Sequence, residues 1–166
     1  MVRVTCEVTT RTVPDNQMRK MHERHKDMAA KLTGTHPDVE VVEVGALVGG
    51  ELPVLLLTEV GGTRMLPIFC GAVEATAIAL AQKGVEIDRP MTHDLLRDVV
   101  SALGKAHEVR ITELRDGTYL GELAVADAAG EERAVACRPS DGIALAVRAD
   151  VPILVAEALF IAETGA

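Results

Sequence analysis

A chain of 166 residues in which 48% are hydrophobic is long enough for one domain with a real core plus an appendage, and too apolar to be disordered. Its three aromatic residues, Phe69, Tyr119 and Phe160, leave the core to Val, Leu, Ile and Ala and argue against a base-stacking platform. A formal net charge of −8 and a pI near 5.1 oppose non-specific attraction to nucleic acid, so a polyanionic substrate would need a local basic patch or a metal ion.

Val2, Val4, Cys6 and Val8 alternate with polar residues, the period of a half-buried strand, and Pro14 ends it. Between Asp15 and Leu32 the period changes: Met18, Met21, His25, Met28 and Leu32 recur three and four apart, and Gly34 follows. This predicts an amphipathic helix with a methionine-rich seam wide enough for one neighbour, on the core or on a second subunit. His22, His25 and His36 have no accompanying carboxylate–cysteine set and are read as solvated or packed. Thr35 to Asp38 reads as a linker, so residues 1–38 form an N-terminal extension and 39–166 the domain proper.

Val39 to Val48 and Pro53 to Glu59 are predicted strands joined at Gly49-Gly50, and Gly61-Gly62 leads into Met65 to Cys70. A helix follows from Ala72 to Lys83, closed by Gly84. Thr92 is a good N-cap for a second helix whose apolar face is Leu95, Leu96, Val99, Val100 and Leu103, with Gly104 as its stop. Val109 to Leu114, Tyr119 to Val125 and Arg133 to Cys137 are further strands, with Asp116-Gly117 a hairpin turn. Pro139 and Ser140 mark the start of a third helix, where the serine oxygen can accept a free N–H. The apolar run Ile143 to Val147 leaves that helix no polar face, so it must be covered on most sides. Pro152 to Val155 is a short strand, and Glu157 to Ala162 a last helical turn or two.

Ile78-Ala79-Leu80-Ala81 recurs as Ile143-Ala144-Leu145-Ala146, 65 residues on (143 − 78), and each copy follows two strands and a glycine turn. The fold class expected is therefore α+β: a mainly antiparallel sheet with helices, built from two related β-β-α units, with Glu74 and Asp141 meeting across a pseudo-symmetric core. Cys6, Cys70 and Cys137, odd in number and set in apolar runs, are read as reduced core thiols. No charged-then-apolar leader opens the chain and no run is long and apolar enough for a membrane span, which predicts a cytoplasmic protein with no membrane partner.

Four polar islands interrupt apolar context near helix ends: Glu74; Arg89 to Asp94 with His93; Arg138 with Ser140 and Asp141; and Arg148. Helix N-termini with an adjacent arginine bind phosphate, whereas acidic groups with a histidine hold a divalent ion and orient water; caps and surface ion pairs remain the plain structural alternative. No glycine-rich phosphate loop, GxSxG elbow or HExxH helix is present.

Three ordered blocks carry a resemblance. Leu66-Pro67-Ile68-Phe69-Cys70-Gly71 with Glu74-Ala75, then Arg89-Pro90-Met91-Thr92-His93-Asp94-Leu95, then Arg138-Pro139-Ser140-Asp141 to Ala146 with Arg148, resemble the bifunctional nuclease (BFN) family over roughly Val39 to Glu163. The resemblance implies a compact, self-associating α+β domain, expected as a homodimer, and a nuclease acting on DNA and RNA. The sequence departs from the family pattern at Gly142, where alanine is usual, and at Cys137. On this reading Glu74, Asp94 and Asp141 hold a divalent metal (Mg or Mn) or orient water, and His93 carries the proton. Arg138, Arg148 and Arg89 hold phosphate, and Ser140 donates or caps. The rival is a non-catalytic dimeric module binding a small anion or a protein partner.

Overall fold

The computed structural model describes residues 39–47, 53–61 and 64–160, with side chains from residue 53 onward. The strand and seam expected in residues 1–38 and the turns at Gly49-Gly50 and Gly62 lie outside the described residues. Seven strands form one sheet: β1 (Val39–Leu47), β2 (Val54–Glu59), β3 (Met65–Phe69), β4 (Gly104–Arg115), β5 (Thr118–Asp127), β6 (Glu132–Cys137) and β7 (Ile153–Ala156). Their order is β3-β2-β1-β7-β4-β5-β6, and every pairing is antiparallel except β4 with β7. Three helices, α1 (Ala72–Gln82), α2 (Thr92–Leu103) and α3 (Pro139–Ala149), complete an α+β domain, and a 3-10 turn (Glu157–Leu159) follows β7. Among the described residues no helix is long and apolar enough to cross a membrane.

The duplication is larger than its sequence signature. Each unit is three meandering strands and a helix, β1-β2-β3-α1 and β4-β5-β6-α3, with β7 wedged between the two first strands. Counted from the helix starts, Ala72 and Pro139, the third residues are Glu74 and Asp141 and the sixth are Ala77 and Ala144. The Ile-Ala-Leu-Ala letter match is therefore two residues out of structural step, because Ile78 corresponds to Leu145.

Helix α3 packs between α1 and α2 and over β4 and β5, which accounts for its all-apolar centre: Ile143 to Ala146 are buried. On β4, Ala106, Val109, Ile111 and Leu114 all reach the core although their spacing is three, two and three, not a strict two. Two bulges, between Ala106 and Glu108 and between Ile111 and Glu113, supply the extra residue each time. The β4–β5 hairpin turns on Asp116 and Gly117, both with positive φ (49° and 77°), the two-residue geometry expected of that dipeptide.

The two departures from the family pattern are neighbours in space. A methyl group on Gly142 would fall 2.8 Å from Val109 Cγ1 and 3.1 Å from Cys137 Sγ, so thiol and valine already fill the volume. Gly142→Ala is expected to destabilise by about 1 kcal/mol net, crowding outweighing the better helix propensity. In a Val109→Ala background the same change is expected to stabilise; urea unfolding of the four variants measures both.

Candidate functional site

Among the described residues, each of the three helices carries a carboxylate at its third residue, Glu74 in α1, Asp94 in α2 and Asp141 in α3, where the free N–H groups of the first turn favour negative charge. The first turns lie within one side-chain contact of each other. Arg138, the residue capping the start of α3, donates from Nε to Asp141 Oδ2 at 2.7 Å and from Nη2 to Asp141 Oδ1 at 3.0 Å and Glu74 Oε1 at 2.7 Å. The pseudo-equivalent carboxylates therefore meet, as expected, but through a shared guanidinium. His93, 8% exposed and the only buried residue of α2, places Nε2 3.4 Å from Asp141 Oδ1. Glu74, His93, Arg138 and Asp141 thus form one cluster at the mouth of the helical layer. The Arg138 side chain is 68% exposed, and among the described residues its Nη1 group has no hydrogen-bond partner.

A second pair, Asp94 with Arg148, lies behind it. That side chain is only 4% exposed: Nε donates to Asp94 Oδ1 at 2.6 Å, Nη1 to the Ala144 carbonyl at 2.9 Å and Nη2 to the Ala77 carbonyl at 3.0 Å. Each of its three nitrogens donates to protein and the side chain is buried, so it braces the three helices. The two carbonyls it grips are the pseudo-equivalent sixth residues of α1 and α3. Each arginine thus ties one matched pair of positions, Arg138 in front and Arg148 behind.

Three further expectations change. Thr92 is the first helical residue; Met91 is the cap, and its N–H donates to Asp94 Oδ2 at 2.8 Å. Ser140 is the buried second residue of α3 and makes no capping bond, because Pro139 holds the first position. Arg89 is exposed in the segment before α2 and, among the described residues, makes no ion pair or side-chain hydrogen bond; it does not join the cluster. Sequence reasoning missed the backbone partners, Met91 N–H and the Ala77 and Ala144 carbonyls. A signal for the first was present in a carboxylate three residues after Met91.

Burial pushes the Asp141 carboxyl up, but the Arg138 hydrogen bonds, with His93, outweigh it and hold Asp141 below the usual carboxylate range. Asp94 is likewise held low, burial being outweighed by the Met91 N–H and Arg148. Both groups therefore stabilise the fold fully above their unfolded value of about 3.9, and the contribution is lost as pH falls through the lower folded values. Urea midpoints are expected to stay level from neutral pH to about pH 5 and fall below about pH 4, and Asp94→Asn is expected to flatten that acid limb. Burial, aided by Glu74, raises the Cys70 thiol to about 11, and burial with Asp141 and Glu122 raises Cys137, so both are neutral thiols, as expected of core cysteines, and not nucleophiles.

For a divalent ion the donor set does not fit as it stands. Glu74 and Asp141 are engaged by Arg138, and both Asp94 oxygens are taken by Arg148 and Met91. Among the described residues no three His, Cys, Asp or Glu side chains are grouped to hold a metal.

The fold and the cluster define a duplicated α+β domain with an imidazole–carboxylate pair and an exposed guanidinium where its helices begin. The family model of the bifunctional nuclease domain matches residues 55–165, and the chain belongs to that family. It is 46% identical to an uncharacterized protein of Mycobacterium tuberculosis over 129 residues, 77% of this chain and 76% of that one. Over 117 residues it is 32% identical to bifunctional nuclease 2 of Arabidopsis thaliana (64% of this chain), and over 105 residues 30% identical to bifunctional nuclease 1 of Oryza sativa subsp. indica (61% of this chain). It spans 36% and 32% of those two plant proteins.

Proposed function

We propose that the cluster hydrolyses phosphodiester bonds of DNA and RNA. The observation that carries this reading is the His93–Asp141 contact beside Arg138; the plant relatives named bifunctional nucleases support the substrate class. Asp141, held ionised, fixes the proton of His93 on Nε2, which leaves Nδ1 to take a proton from water. The hydroxide attacks phosphorus, a P–O bond breaks, and the leaving alkoxide takes a proton from solvent. Arg138 holds the phosphate through Nη1. Three carboxylates against two arginines give the six residues a formal charge of −1, and about +0.5 from each of three helix N-termini offsets it. With three aromatic residues in the chain, grip on the phosphate rather than stacking on bases fits one site to both nucleic acids.

A divalent Mg or Mn ion is the other route to this hydrolysis, and it would have to displace Arg138 from Glu74 and Asp141. The test is cleavage of labelled single-stranded DNA, duplex DNA and RNA by wild type, His93→Ala and Asp141→Asn, each with and without chelator. Cleavage by wild type alone supports the reading, and its loss on chelation selects the metal route. Equal cleavage by all three proteins marks a contaminant and ends the proposal. Phosphate binding with no turnover by pure wild type returns the non-catalytic anion-binding module.

A further inference from the structure

The two units differ at one point of the cluster. The residue that caps α3 is Arg138, and the residue at the same place before α1 is Gly71, so the two equivalent carboxylates, Glu74 and Asp141, share a single guanidinium. They take different edges of it. Asp141 receives Nε and Nη2, the side edge of the fork, in a bidentate pair that by itself fixes the plane of the group. Glu74 Oε1 receives the other hydrogen of Nη2 at 2.7 Å, and so fills half of the end edge, the one between Nη1 and Nη2. Among the described residues the hydrogens left over are both on Nη1, which cannot make a fork alone. The glycine makes room for this. A methyl group on Gly71 would overlap Glu74 Oε2, so the carboxylate, its side chain 14% exposed, lies in the space that a side chain at that position would need.

We propose that Glu74 is a positioning residue that holds the end fork of Arg138 closed, and that a phosphate gains a two-point grip only by displacing it. The inference rests on the reading of Arg138 as the phosphate holder and not on turnover. Because Asp141 already orients the guanidinium, Glu74 adds no orientation that phosphate needs; it competes with phosphate oxygens for one hydrogen, and its charge repels them. The consequence is a weak hold on any single phosphate, which keeps inorganic phosphate from blocking the site.

Titration calorimetry of the full chain with inorganic phosphate tests this without any cleavage. Glu74→Gln and Gly71→Ala are each expected to bind phosphate about tenfold more tightly than wild type, one charge-assisted hydrogen bond being regained, and the double variant no more tightly than Glu74→Gln alone. Gly71→Ala removes no charge, and the backbone there (φ −73°) suits any residue, so it moves the carboxylate with the fold intact. KM for single-stranded DNA is expected to fall in the same two variants. Tightening in both with no DNA cleavage by any of the proteins supports the proposal and returns the cluster to an anion-binding module. Tightening in Glu74→Gln but not in Gly71→Ala is the loss of one charge and overturns the proposal. Weaker phosphate binding in either variant also overturns it, by making Glu74 part of the grip, and so does an absence of phosphate heat in every protein. Arg138→Ala keeps the two readings apart: phosphate lost there, with no tightening in the other two, removes the role of Glu74 alone, and phosphate bound as in wild type removes both.

Discussion

Arg148→Ala is expected to cost about 3–5 kcal/mol, because it strands the carboxylate of Asp94 in a largely buried site and unties three helices at once. For a domain of this size that is a fall of roughly 10–20 °C in melting temperature. Two companion variants separate brace from charge. Arg148→Lys keeps the positive charge but has no planar fork to reach Asp94 and the Ala77 and Ala144 carbonyls together, so it is expected to recover less than half of the loss. Arg148→Ala with Asp94→Asn is expected to be more stable than Arg148→Ala alone, since the uncompensated charge is gone. A drop below about 3 °C for Arg148→Ala would show that the guanidinium is not the brace.

His93→Ala and Asp141→Asn are expected to lower phosphodiester cleavage by about 10²–10⁴-fold each, the usual worth of a positioned proton carrier. The double variant should be little worse than either, because the two residues act as one unit. Asp141 also receives Arg138, so Asp141→Asn should raise KM as well as lower kcat, whereas His93→Ala should act mainly on kcat. Melting temperatures of both variants within a few degrees of wild type make the loss a loss of chemistry. Activity within about threefold of wild type for His93→Ala, with the fold intact, would remove the imidazole from the reaction.

Much of this arrangement could be read from the chain. Pro139 at a helix start, Asp116-Gly117 at a hairpin and the unbroken apolar run of α3 each follow from a local rule, and each stands where that rule puts it. Pairing Glu74 with Asp141 needed the repeat and the place of each at a helix entry, since the letter offset of 65 alone sets Glu74 against Pro139. What failed did so for tertiary reasons. An arginine written Arg148 looks the same whether its donors face a phosphate or three protein acceptors. The apolar stripe of α2 has ideal spacing for a core face, yet Leu95, Leu96, Val99 and Leu103 are exposed, because periodicity does not say which side of a helix meets the sheet. Strand β4 begins at Gly104, five residues before the strand read at Val109, and its core residues are kept in step by bulges, which no single residue type announces. Cys137 and Gly142, five positions apart, read as two unrelated oddities until the thiol is seen in the space a methyl would need.

The last strand gives the architecture a direction in time. Because β7 lies between β1 and β4, the two halves of the sheet share no ladder of their own until Ile153 to Ala156 slot in. A nascent chain can form each three-stranded meander as it emerges, but the join must wait until Ile153 to Ala156 have left the ribosome, after both meanders and all the helices between them. The sheet therefore closes through its last strand, and a chain cut before Ile153 would leave two half-sheets with nothing to seam them.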